Sequence, residues 1–155
     1  DGWRLPLDRK AGGFAGSLDD LKRHYATLSD RLGYEIPPPE LVVNLIGYQH
    51  LLQKDVDGAL AFFRWNAERY PDSANVHDSL GEALEAAGKP AEAAASYGKA
   101  VENGRKRADP NVPIFERNRD RAAAAAARLS GRPADRGARE ALRGRFRRGG
   151  AEGPR

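Results

Sequence analysis

The sequence predicts an all-α fold, a short right-handed stack of about six helices followed by a disordered basic C-terminal tail. Three observations lead there. Apolar residues between Leu18 and Leu32 recur at spacings of three and four, the mark of one buried helical face. Residues 40 to 107 repeat with a period of 34, a length that suits one helical hairpin. Beyond Gly131, Arg and Gly replace the large apolar residues a core would need.

Residues 1–16, with Gly12, Gly13 and Gly16, show no periodicity and are expected to be irregular. Leu18, Leu21, Tyr25, Leu28 and Leu32 then mark one face of a helix over 18–32. Ser17 is its N-cap, Asp19 and Asp20 sit in its first turn, and Gly33 stops it. Pro37, Pro38 and Pro39 force an extended connector, because each fixes φ and disfavours helix in the residue before it. The next helix therefore begins near Pro39 or Glu40.

From there the pairs Ile46/Leu80, Gly47/Gly81, Ala59/Ala93 and Phe63/Tyr97 each lie 34 residues apart. They divide the region into repeats at about 40–73 and 74–107. The first has helices near 40–53 and 56–69, the second near 74–87 and 90–103. Pro71 ends the first unit, and Gly88 with Pro90 makes the turn inside the second. A last helix is expected over 112–129, where Ile114, Phe115 and the run Ala122 to Ala127 favour it. Residues 17–130 thus form one helical domain and 131–155 the tail.

The bulk numbers exclude several classes. The chain of 155 residues suits one domain. No apolar stretch approaches the roughly 20 residues that span a bilayer. Cysteine is absent, which removes disulfides, thiolate nucleophiles and cysteine zinc sites. Methionine is absent even at position 1, so the chain reads as a fragment and its compartment stays open. The net charge of +4 is a property of the tail, where eight Arg face Asp135, Glu140 and Glu152. The remainder sums to −1.

Candidate chemistry is sparse. His24, His50 and His77 are the only imidazoles and share no helical turn, so no metal or other cofactor is expected. Asp19 with Asp20, and Asp55 with Asp57, fall at helix beginnings, where negative charge meets the dipole; capping explains them better than acid–base work. A G-x-S-x-G turn is missing, and Ser17, Ser29 and Ser79 lie in other contexts. The Arg-rich tail, with Phe146 among Arg145, Arg147 and Arg148, could contact phosphates without specificity, a minor alternative.

The repeat pattern resembles the tetratricopeptide family. The first unit shows Ile46-Gly47, Ala59, Phe63 and Pro71, the second Leu80-Gly81, Gly88, Ala93, Tyr97 and Ala100. Arg105 stands where the second closing proline would be. Val43 and His77 replace the early tryptophan, and His50 and Leu84 the later tyrosine. The resemblance implies that Gly47 and Gly81 let paired helices approach, that Ala59 and Ala93 receive the facing helix, and that Phe63 and Tyr97 fill the seam. It also implies protein or peptide recognition on a concave face: Leu41, Asn44, Tyr48 and Leu51, then Asn75, Asp78, Glu82 and Glu85. An apolar anchor followed by Lys or Arg would complement that face.

Asp1-Gly2-Trp3, the block from Leu21 to Glu40 and the stretch Asp78 to Leu84 together resemble the C-terminal extension of bacterial putative esterases of the alpha/beta-hydrolase fold, related to siderophore esterases. That resemblance implies a serine hydrolase upstream of Asp1, with no catalytic residue in this chain. The occupant of the face is then either an external partner or that hydrolase domain. An apolar patch around Trp3, Leu5, Leu7 and Phe14 is the expected trace of the second case.

Overall fold

The computed structural model describes residues 7–8, 13–14 and 16–131. Its helices, in chain order, are α1 (Leu18–Leu32), α2 (Glu40–Leu52), α3 (Val56–Arg69), α4 (Ala74–Ala86), α5 (Pro90–Lys106) and α6 (Val112–Leu129). From α2 onward each helix packs on its successor, so α2–α3 and α4–α5 are stacked hairpins with α1 before them and α6 after. The stretch before α1 differs from the irregular segment expected over 1–16. β1 (Leu7–Asp8) pairs antiparallel with β2 (Gly13–Phe14), Leu7 opposite Phe14, and β2 lies beside α2. Strands of two residues are too short to show alternation. Trp3 and Leu5, the side chains of Leu7 and Phe14, and the tail from Arg132 onward lie outside the described residues.

Local chemistry fixes each helix. The Ser17 hydroxyl accepts the Asp20 N–H while the Asp20 carboxylate accepts the Ser17 N–H at 2.9 Å, a reciprocal cap that satisfies two orphan donors. The proline connector is pinned on both sides. Tyr70 donates its hydroxyl to the Pro38 carbonyl at 3.0 Å, and the Ser29 hydroxyl accepts the Ile36 N–H at 2.8 Å. Asp55 caps α3 by accepting the Gly58 N–H at 3.0 Å.

The two hairpins repeat at atomic detail. α2 and α4 begin 34 residues apart, as do α3 and α5. The intervening turns also match: Lys54 and Gly88 are both left-handed, at φ 62° and 71°. The Asp55 N–H reaches the His50 carbonyl at 2.9 Å, and the Lys89 N–H reaches Leu84 at the same distance. The second unit departs at the start of its second helix, where Lys89 and Pro90 replace the Asp55 side-chain cap, and at its end. With Arg105 in place of a proline, α5 continues three residues past the expected 103, until Ala108 turns left-handed at φ 52°.

Steric fit holds each hairpin. A Cβ on Gly47 would lie 2.7 Å from the Phe63 ring, and one on Gly81 2.5 Å from Tyr97. Only glycine lets these buried rings lie against the facing helix. Ala59, Phe63, Ala93 and Tyr97 are fully buried in one cluster with Ala83, Leu84 and Ala122. A second cluster seats Leu21 of α1 on Val43, Ile46 and Phe62. A third joins Phe115 of α6 to Ala100 and Val101.

Candidate partner-binding face

The eight residues expected on one open face divide between the surface and two seams. Leu41 and Asn75 are exposed. Asn44 is buried, and Leu51 packs half-buried against the central cluster. Tyr48 bridges α2 to α4. Its hydroxyl is 2.9 Å from the Glu82 carboxylate and 3.1 Å from the Ser79 hydroxyl, while its ring meets Phe63 edge-on.

The three carboxylates of α4 are engaged inside the molecule rather than offered as an acidic wall. Asp78 accepts the Asn118 amide at 3.0 Å, and Glu82 accepts Tyr48. Glu85 accepts the Arg121 guanidinium through both oxygens, at 3.2 and 2.6 Å, and the Tyr97 hydroxyl at 2.8 Å. Two of the three are engaged by α6, whose Asn118 and Arg121 reach back to Asp78 and Glu85 of α4, while Glu82 is held by Tyr48 of α2. Sequence spacing places residues on a face but does not reveal which neighbour will cover it.

The electrostatics follow this enclosure. Burial raises the Asp78 and Glu82 carboxyls above their ordinary values, with like charge between them adding to the effect at Glu82. The Arg121 hydrogen bonds hold Glu85 below its ordinary value. Burial pushes the Tyr48 phenol up to about 12, so it is a donor throughout the neutral range.

What remains open on α2 is apolar. Leu41, Leu45 and Leu52 are 66%, 57% and 84% exposed, and their spacings of four and seven put them on one stripe. Leu45 and Leu52 escape a sequence reading because α2 is apolar nearly all round. Val43 and Ile46 face the core while Leu45 does not, and period alone cannot separate them.

The histidines take packing roles. His50 stacks on Phe62 at 5.0 Å, with Nδ1 2.7 Å from the Asp55 carboxylate, and His77 is tied to the Pro71 carbonyl at 2.8 Å. His24 meets Tyr25 edge-on. Among the described residues no group of three or more His, Asp or Glu could hold a metal ion. No described helix is long and apolar enough to cross a membrane. No family model, curated protein or solved structure matches this chain.

Proposed function

We propose that this chain is a tetratricopeptide-like interaction module that binds another protein through the exposed face of α2 and performs no catalysis itself. The leucine stripe supports the reading most directly. Three large apolar side chains stand in water on a helix whose opposite side is fully committed to the core, and such contiguous exposure marks a surface that is covered in use. Two stacked hairpins capped by α1 and α6 supply a rigid mount for it. The resemblance of the N-terminal blocks to esterase extensions favours a serine-hydrolase domain as the protein that covers the stripe.

The test is in-cell crosslinking followed by mass spectrometry, comparing the wild type with Leu45→Asp and Leu52→Asp. Both positions are solvent-facing, so the variants should fold. Loss of one specific crosslinked protein in both variants supports the reading, and a hydrolase among the lost species supports the esterase association. An unchanged crosslink profile would sink it.

A further inference from the structure

A second feature lies away from the leucine stripe. A groove of about 710 Å³ runs between α3 and α5, floored by Leu80 and Leu84 of α4 with Ala67 and Ala95 on its sides. Its rim carries both signs of charge, and two pairs cancel: Arg64 with Glu92 at 3.6 Å and Lys106 with Glu102 at 2.8 Å. That leaves Glu68 and Asp72 against Lys99, an excess of negative charge on the α3 side. At the groove's base, His77 donates from Nε2 to Pro71, and its Nδ1 is a buried acceptor with no partner among the described residues. Burial keeps that imidazole neutral by lowering its pKa. The groove therefore suits a segment that brings apolar side chains for the floor and cationic donors for the rim.

The chain itself contains such a segment. Residues 138–148 carry Arg139, Arg143, Arg145, Arg147 and Arg148 around Leu142 and Phe146, with Glu140 the single acid. The described chain also leaves α6 in the right place. Leu129 and Ser130 line a hollow of about 330 Å³ with Lys89, Pro90 and Glu92, and Glu92 lines the α3–α5 groove as well. From Glu92 to Lys106 along α5 is about 21 Å at 1.5 Å per residue. Thirteen residues from Gly131 to Gly144 reach up to roughly 45 Å extended, so residues 138–148 can span the groove without strain.

We propose that residues 138–148 occupy the α3–α5 groove of their own chain, with Leu142 and Phe146 over Leu80 and Leu84 and the arginines toward Glu68 and Asp72. The segment is then a built-in competitor for any basic, apolar peptide that the groove would otherwise take. Linkage makes the competition strong, because an attached ligand has a high effective concentration.

The absence of native cysteine gives a direct test in the full chain. Ala95→Cys with Gly144→Cys places one thiol in the groove and one in the segment. Leu41→Cys with Gly144→Cys is the reference pair on α2. In a glutathione buffer the groove pair should close its intramolecular disulfide at least tenfold faster than the reference pair. Charge reversal by Glu68→Lys with Asp72→Lys should remove that preference. So should Leu142→Ser with Phe146→Ser, which changes no residue of α1 to α6. Equal closing rates, a preference that survives both sets of changes, or a disulfide-linked dimer in place of the intramolecular product would each overturn the proposal.

Discussion

Replacing Gly47 by alanine isolates the contact on which each hairpin is built. The new Cβ would stand 2.7 Å from Cε1 and Cζ of Phe63, inside the distance real Cβ atoms keep. The Phe63 ring cannot easily retreat, since it is fully buried and meets Tyr48 edge-on at 5.1 Å. Overpacking of this kind costs about 1–3 kcal/mol. Alanine returns about 1 kcal/mol through helix propensity. Because the ring is confined, the upper part of that range, about 2–3 kcal/mol, applies, and the net expectation is a loss of roughly 1–2 kcal/mol, or a melting temperature roughly 3–6 °C lower. Two companions set the sign. A Cβ on Gly98 of α5 would meet nothing within 4 Å, so Gly98→Ala should stabilise by up to about 1 kcal/mol. In a Phe63→Leu background the clash is gone, and Gly47→Ala should become neutral or stabilising. Urea unfolding followed by circular dichroism measures the wild type, the two glycine variants, Phe63→Leu and the Gly47→Ala/Phe63→Leu double variant. A Gly47→Ala variant as stable as wild type, or a penalty that persists in the Phe63→Leu background, would refute the steric account.

Other expectations concern turns, caps and pH. Lys54 occupies the left-handed position that Gly88 fills in the second hairpin, so Lys54→Gly should raise stability by roughly 0.5–1 kcal/mol in the same unfolding assay. Asp55→Ala removes both the α3 cap and the partner of His50 Nδ1; a loss of about 1 kcal/mol or more is expected by thermal melting. Glu85 has a depressed carboxyl pKa, so its contribution is present above the unfolded value near 4.5 and fades as pH falls through the lower folded value. Glu85→Gln should therefore flatten the acid limb of a stability–pH curve. Glu82 runs the other way: its raised pKa means that ionisation opposes folding as pH climbs past the unfolded value. Glu82→Gln should match wild type at low pH and gain on it toward neutrality, and an advantage confined to acid would contradict this sign.

Much of the stack is legible in the sequence because the repeat is legible. Gly47 and Gly81, and Phe63 and Tyr97, are spaced by the unit that spaces the helices themselves, and α2 and α4 begin where that spacing puts them. The capping box at Ser17 is equally visible, since it depends on residues three apart. What the sequence conceals depends on neighbours distant along the chain. Nothing near Asp78 or Glu85 announces that Asn118 and Arg121 will fold back onto them. Nothing within α2 distinguishes Leu45 in water from Ile46 in the core. The end of α5 belongs to the same class: Arg105 permits the extra turn, but the stop comes from Ala108 and the packing of α6 against Gly104.

The order of helix contacts bears on how the molecule comes apart. Each of the later helices touches the next, while α1 touches α3 and, through Leu21, the buried Val43 and Ile46 of α2. Stability in such an array is a sum of unit terms and couplings between neighbours, so opening begins at an end and travels inward. The two ends are unequal. α6 is fastened to α4 by Arg121 and Asn118 and to α5 by Phe115 and the Arg105–Glu116 ion pair. By contrast α1 is held by one fully buried leucine, the partly buried Leu18 and Tyr25, the Lys22 ammonium over the Trp65 ring and the proline connector. Amide exchange should therefore rank α1 as the first segment to open and the α4–α5 hairpin as the last. A chain pulled or captured from its N-terminal side would lose α1 while the rest of the stack stayed intact.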